Sequence, residues 1–262
     1  MTFANDVRRA VRAEIYKLKH HSILVTVILL PLVIVGVMNL LLPLSQGRPF
    51  QMPGNAWLVT LMGLLQGWGF IQIFVVAVVT AQLAGLEHAN NRWKYLFALP
   101  ISRKAIYSAK AIVSIGLFGV SSLTILVTLI VTGLLLNLLK PGLGFDATIP
   151  WGDLFAVILL NYAASWLLIA IHTWAAHHWQ NFAPAIGVAM VAFLLSMVLA
   201  GSPSFMRIYP WALPTNFFVR GFNLSGNLIN RDVALTNVLL SLIGSIVLIG
   251  FSMWQITRRD GL

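Results

Sequence analysis

Six apolar runs, each long enough to cross a lipid bilayer, constrain this chain more than any other feature of its sequence. A transmembrane helix needs about 20 mostly apolar residues to cross a hydrocarbon core of roughly 30 Å. Inside a bilayer such runs are expected to be helical, because a helix satisfies its own backbone hydrogen bonds. The runs cover residues 22–44, 56–86, 103–139, 154–176, 182–200 and 233–257. The sequence therefore predicts an all-α membrane protein with six transmembrane helices.

The composition agrees with this fold class. Of the 262 residues 59% are hydrophobic and only 9% are charged, whereas soluble domains carry roughly 25% charged residues. A net charge of +10 would suggest nucleic-acid binding in a soluble protein. Here the basic residues flank the apolar runs, so we expect a lipid bilayer and no nucleic acid as partner. The chain has no cysteine, which excludes disulfides and thiolate metal sites.

The distribution of basic residues predicts the orientation of the chain. Lysine and arginine are enriched on the cytoplasmic side of membrane proteins. Of the 17 Lys and Arg residues, twelve lie in the amino-terminal segment, in the loop before the third run together with the first residues of that run, or in the tail. We therefore expect a multi-pass protein with both termini in the cytoplasm.

Two further segments carry patterns of their own. In residues 1–21 apolar side chains recur near a helical period among basic ones, which predicts an amphipathic helix along the inner membrane surface. The alternative, a basic flank that only sets topology, is compatible with this interpretation. Residues 201–232 mix aromatic residues with Pro203, Pro210 and Pro214. Proline forbids a continuous span here, so we expect short re-entrant or interfacial helices on the outer side.

Residues 87–102 form the one sizeable polar segment between two apolar runs. Trp93, Leu96 and Phe97 stand at i, i+3 and i+4, so a short helix would place them on one face. Pro100 would end this helix, and Ser102 is suited to cap the next one. We interpret the segment as a cytoplasmic element on which a soluble partner acts. The alternative is that these aromatic residues only anchor the chain at the head-group level.

The residues needed for catalysis or metal binding do not form a recognisable pattern. The sequence has no Gly-x-x-x-x-Gly-Lys-Ser/Thr loop, so we expect it to hydrolyse no ATP itself. His172, His177 and His178 are not spaced as metal ligands on one helical face, and we interpret them as packing residues. Neutral polar residues in the runs are interpreted as hydrogen-bonding groups between helices, with the lining of a passage as the alternative. They are Asn39, Gln66, Gln72, Gln82, Asn137 and Asn161.

Three stretches of the sequence resemble the ABC type 2 export permeases, in particular the group associated with bacitracin and lantibiotic resistance. The first is residues 12–19, the second is residues 87–94 and 99–103 together with Lys110, and the third is residues 258–260. The resemblance implies a permease in the bacterial cytoplasmic membrane that pairs with a second permease chain, as a homodimer or a heterodimer. It also implies separate ATPase subunits that bind ATP and Mg, so no cofactor is expected on this chain.

The resemblance also implies which residues contact the ATPase. It places a coupling helix at about residues 89–99, within the loop 87–102, and makes residues 1–21 the interfacial helix. The implied docking residues are Glu87, Asn91, Arg92, Trp93, Lys94, Leu96, Phe97 and Pro100. The implied interfacial-helix residues are Arg8, Arg12, Glu14, Lys17 and Lys19.

The expected function is that of a permease subunit in an ATP-driven exporter. Because the runs contain so few charges, an amphipathic or hydrophobic substrate is expected, with peptide antibiotics, lipids and drug-like molecules all open. The alternative is a non-transporting membrane scaffold or sensor for a signalling partner. A membrane-embedded enzyme is disfavoured by the missing catalytic residues.

Overall fold

The computed structural model describes residues 2–19, 21–45, 55–88, 101–179, 182–199, 201–215 and 231–258. All regular secondary structure in these ranges is helical, which confirms the predicted all-α class. The helices are α1 Phe3–Leu18, α2 Ile23–Ser45, α3 Ala56–His88, α4 Arg103–Leu139, α5 Trp151–Ala164, α6 Trp166–His178, α7 Phe182–Leu199, α8 Pro203–Met206 and α9 Arg231–Arg258.

Five parts of the described chain are long and apolar enough to cross a membrane, so the chain is a multi-pass membrane protein. They lie in α2, in α3, in α4, in α5 and α6 taken together, and in α9. The apolar part of α7, Ala183–Leu199, is shorter. At 1.5 Å per residue the 18 residues of α7 extend about 27 Å, slightly less than the hydrocarbon core. A sixth crossing by α7 therefore stays a prediction.

Helix α4 is a single element of 37 residues that begins at a side-chain cap. The hydroxyl of Ser102 accepts a hydrogen bond from the Ala105 N–H at 3.2 Å, which confirms the capping role expected for Ser102. At about 55 Å, α4 is longer than the bilayer core is thick, so its ends project beyond it. Its three glycines, Gly116, Gly119 and Gly133, do not interrupt it.

The fourth predicted run, residues 154–176, differs from the expected single helix. It belongs to two helices, α5 and α6, that meet at Ser165. Among the described residues, the main apolar core lies among α2, α3, α4, α5 and α6, and it also buries Leu18 of α1 and Ala234 of α9. Helix α6 packs mainly on α3 and α9, whereas α5 packs on α9 and α4.

Asn39 and Asn161, two of the neutral polar residues in the runs, bond between elements, as interpreted from the sequence. The Asn39 amide of α2 donates to the Thr132 hydroxyl of α4 at 2.6 Å. The Asn161 amide of α5 donates to the backbone carbonyl of Pro214 at 2.8 Å. In lipid, such bonds replace those that water would otherwise supply.

A smaller cluster closes one end of the bundle around Trp57, at the start of α3. The Trp57 ring stands edge-on to Phe145 with centroids 5.0 Å apart, and its N–H donates to the Ala147 carbonyl at 3.1 Å. Gly133 of α4 lies directly against this ring. A Cβ atom at residue 133 would stand 2.5 Å from the nearest carbon of Trp57. The absence of a side chain at Gly133 therefore lets α4 approach α3.

We expect Gly133→Ala to lower the melting temperature of the purified protein. Overpacking of a filled core costs about 1–3 kcal/mol, which exceeds the gain that alanine normally brings to a helix. Gly116→Ala on the same helix is the matched control, because its added Cβ would meet no atom within 4 Å. Equal melting temperatures for the two variants would contradict the close packing of Gly133 on Trp57.

Candidate functional site

Four charged side chains from three helices form one ion cluster: Glu14 and Lys17 of α1, Glu87 of α3, and Lys110 of α4. The Lys17 ammonium lies 2.7 Å from Glu14 Oε1 and 2.6 Å from Glu87 Oε1. The Lys110 ammonium lies 2.5 Å from Glu87 Oε2 and 3.2 Å from Glu14 Oε1. Each lysine thus contacts both carboxylates, and the two positive and two negative charges balance.

Three of the four side chains in the ion cluster are shielded from solvent. The side chain of Lys110 is 0% exposed, that of Glu87 2% and that of Glu14 3%, while Lys17 is 29% exposed. A buried charge is tolerated when it is paired and hydrogen-bonded. The ion cluster therefore holds α1, the end of α3 and the first turns of α4 together, because separating any one of them would leave buried charges unpaired.

The carboxylates of the ion cluster keep Lys17 charged. Burial lowers the pKa of Lys17, but the carboxylates of Glu14 and Glu87 together outweigh this effect and raise the pKa above its ordinary value of 10.5. The stabilisation that Lys17 provides is fully present below its unfolded pKa. It is lost only as the pH rises through the higher folded pKa. Lys17 therefore stays charged throughout the physiological pH range.

One face of helix α1 is buried against the protein, whereas a helix lying only on lipid would bury no residue in this way. Its buried residues Ala10, Glu14 and Leu18 recur every four residues and so share one face. Helix α1 packs mainly against α4. Leu18 lies in the main core. Part of the apolar stripe therefore contacts the protein rather than lipid, while Phe3 and Ile15 stay more than half exposed.

The residues expected at the interfacial helix lie on two different faces of it. Glu14 and Lys17 belong to the ion cluster, whereas Arg8, Arg12 and Lys19 are exposed on the other side of α1. The two faces of α1 thus differ in their surroundings. One face holds internal charges, and the opposite face presents cations.

Of the expected docking residues, only Glu87 lies within the described chain. Its carboxylate is directed into the ion cluster, so it bonds to Lys17 and Lys110 rather than standing free on the surface. The others lie outside the described residues: Asn91, Arg92, Trp93, Lys94, Leu96, Phe97 and Pro100. Helix α3 continues to His88, so residues 89–102 of the predicted loop 87–102 join α3 to α4, and the ion cluster lies where these two helices meet the segment 89–102.

Sequence reasoning did not single out Lys110 as a site residue. The available signal was a lysine set seven residues after Arg103, at the edge of an otherwise apolar run. A charge in such a place requires a partner. Which carboxylates supply it depends on how α1 and α3 pack, and a linear pattern does not contain that information.

Comparison with known families decides the class of this chain. The model of a family described as "ABC-2 family transporter protein" matches residues 10–196, more than half of the chain. The chain belongs to the ABC-2 transporter family. A search of curated proteins finds no match. All four residues of the ion cluster lie inside the matched part of this permease, whereas the segment 201–215 and α9 follow it.

Two of the histidines considered as metal ligands, His172 and His177, bond to other residues of the bundle. The Trp211 N–H donates to Nε2 of the fully buried His172 at 3.0 Å. Nδ1 of His177 lies 2.7 Å from the Thr173 carbonyl. Within the described ranges, no group of three His, Asp or Glu side chains is arranged to hold a metal ion. His172 thus fixes the position of Trp211, which belongs to the segment between α8 and α9.

We expect Lys110→Met to destabilise the permease by about 3–5 kcal/mol, the usual cost of removing one partner of a buried ion pair. The two buried carboxylates would then share the single ammonium of Lys17. Thermal unfolding in detergent, followed by loss of the monodisperse gel-filtration peak, measures the effect. Lys104→Met is the matched control, because Lys104 is an exposed lysine on the same helix.

A second variant separates the charge from the volume of Lys110. In Glu87→Gln combined with Lys110→Met, the remaining Glu14 and Lys17 form a neutral pair. The double variant should therefore be more stable than Lys110→Met alone. If the two are equally unstable, the stabilisation by Lys110 arises from packing and not from charge.

Proposed function

We propose that this chain is the permease subunit of an ATP-driven exporter, driven by separate ABC ATPase subunits that bind ATP and Mg. Membership of the ABC-2 family supports the permease role and implies a partnership with such ATPases. The observation that carries the proposal is the ion cluster at the end of α3 and the first turns of α4, the two helices that the segment 89–102 joins. This segment is the part of the chain on which we propose that the ATPase acts.

The geometry of the ion cluster supports a mechanical role for this segment. The segment 89–102 joins the end of α3 to the beginning of α4, and the contact between Glu87 and Lys110 connects these two helices at that point. Glu14 and Lys17 join α1 to the same place. A force on the segment would therefore move three helix ends as a unit. The uninterrupted α4 would carry the displacement through the membrane.

Substrate class and assembly are part of the same proposal. The described membrane helices bury charged side chains only in the ion cluster near one end of the bundle. Such an interior suits an amphipathic or hydrophobic substrate better than an ion or a sugar. We propose that two permease chains form the transporter, in the bacterial cytoplasmic membrane, with both termini and the segment 89–102 on the cytoplasmic side.

We expect Trp93→Ala combined with Phe97→Ala to abolish the stimulation of the cognate ATPase by the permease. Truncation of an aromatic anchor at an interface costs about 2 kcal/mol or more, so the affinity should fall at least about 30-fold. The measurement is ATP hydrolysis, and co-purification of the ATPase, with permease reconstituted in nanodiscs.

The matched control is Trp151→Ala combined with Phe155→Ala. These two residues are the same types, are about half exposed on α5, and lie against each other at a centroid distance of 6.4 Å. This control should retain full stimulation. Unchanged ATPase activity in the Trp93 and Phe97 variant would refute docking at this segment. A reconstituted complex that hydrolyses ATP but moves no substrate would favour the scaffold or sensor function instead.

A further inference from the structure

The break between α5 and α6 interrupts a 28-residue membrane crossing at Ser165. Breaks in helices usually arise from proline, from glycine, or from a side chain that enters the backbone hydrogen-bond ladder. Neither proline nor glycine occurs from residue 153 to residue 178. The cause must therefore be side chains at the break.

Hydroxyl groups replace the regular backbone bonds at this position. In an unbroken helix the N–H groups of residues 165 and 167 would bond to the carbonyls of residues 161 and 163. Instead the Ser165 hydroxyl donates to the Asn161 carbonyl at 2.7 Å, and the Ser165 N–H bonds to the Tyr162 carbonyl at 3.1 Å. The Leu167 N–H donates to the hydroxyl of Ser241, on α9, at 3.0 Å.

A second neighbouring helix also holds the break. The Gln72 amide of α3 donates to the Ser165 hydroxyl at 2.7 Å. Ser165 and Ser241 are 0% exposed and Gln72 is 3% exposed. Gln72 lies at the middle of α3, and Ser165 at the middle of the crossing formed by α5 and α6. Because no water is available at such depth in a bilayer, the hydroxyls of Ser165 and Ser241 satisfy the backbone groups of Asn161 and Leu167, and Gln72 holds the Ser165 hydroxyl in place.

Both sides of the break are connected to the segment 201–215. On the α5 side, Asn161 donates to the carbonyl of Pro214 at 2.8 Å. On the α6 side, His172 accepts from Trp211 at 3.0 Å. Asn237 of α9, one turn before Ser241, donates to the carbonyl of Leu213 at 3.2 Å. A change in angle between α5 and α6 would therefore move this segment.

The break is also connected to the ion cluster through α3. Glu87 and Gln72 stand on this one continuous helix, 15 residues or about 22 Å apart. Displacement of the α3 end would thus reach Gln72 directly. The same helix links the point where the ATPase is proposed to act with the point where the crossing is broken.

We propose that the break at Ser165 is a hinge used in the transport cycle, with Gln72, Ser165 and Ser241 as positioning residues that hold it open. The second arrangement is a continuous helix, in which the N–H groups of residues 165 and 167 bond to the carbonyls of residues 161 and 163. Interconversion of the broken and the continuous helix would move the segment 201–215, because Trp211 and Pro214 of this segment are bonded to the two sides of the break. The inference rests on the proposed function, because the ATPase supplies the displacement.

The first test needs no ATPase. Because the chain contains no cysteine, Asp153→Cys and His178→Cys introduce a single pair of spin labels at the two ends of the broken crossing. In a straight continuous helix these 25 residues span about 37 Å between Cα atoms. We expect Ser165→Ala combined with Ser241→Ala to shift the distance measured by pulsed electron paramagnetic resonance in nanodiscs toward that value.

Ser245→Ala is the matched control for the first test. Ser245 is a buried serine on α9 whose hydroxyl bonds only within its own helix, to the Leu242 carbonyl at 2.8 Å. This control should leave the distance unchanged. If the double variant does not purify as a monodisperse protein, the two single serine variants are measured in its place. A distance unaffected by the serine substitutions would overturn the hinge.

The second test adds the cognate ATPase and compares nucleotide-free complexes with complexes trapped by ATP and vanadate. The distance in the labelled, otherwise wild-type chain should differ between the two states, and the difference should shrink when both serines are replaced. The double variant should still bind the ATPase but should transport less substrate per ATP hydrolysed. Variants that merely misfold would lose ATPase binding as well.

The two proposals fail in different ways. If the ATPase binds and is stimulated but the distance is the same in both states, the hinge is refuted and the permease function stands. If no ATPase associates with the wild-type chain, the proposed function is refuted. The first test then still decides whether the serines hold the break.

Discussion

The pairing of buried charges where water is scarce is the interaction on which the rest of this structure depends. Glu87 and Lys110 are almost completely enclosed, and neither would be stable in this environment without the other. Their contact fixes the end of α3 to the beginning of α4, and Glu14 adds α1 to the same point. A set of apolar helices has few directional contacts of its own, so these charges define which helix ends must stay together.

Two groups of polar side chains in this permease each connect three helices. The ion cluster lies near one end of the bundle, and the hydroxyl and amide groups around Ser165 lie near its middle. Between them the helices contact each other chiefly through apolar side chains. This arrangement allows a rigid end and an adjustable centre within one bundle, because ion pairs enclosed by protein are costly to separate whereas neutral hydrogen bonds exchange at small cost.

The sequence predicted those features that depend on local chemistry. The length of the apolar runs determines the fold class, and Ser102 stands where a capping residue belongs. It did not predict the break at Ser165, because the groups that cause it come from Gln72 and Ser241, 93 and 76 residues away along the chain. For the same reason Glu87 was expected on a docking surface. Its burial follows from the approach of two lysines on other helices, which only the packed structure reveals.

The four charged side chains of the ion cluster differ in exposure, and they therefore differ in their sensitivity to the ionic strength of the medium. Dissolved ions weaken attractions between charges that they can reach, and they act much less on enclosed ones. Only Lys17 is open to them to a substantial degree, whereas the contact of Lys110 with both carboxylates is closed off. Changes in ionic strength would therefore act mainly on the outward arginines of α1, and the connection between α3 and α4 would keep its strength in dilute and in concentrated electrolyte alike.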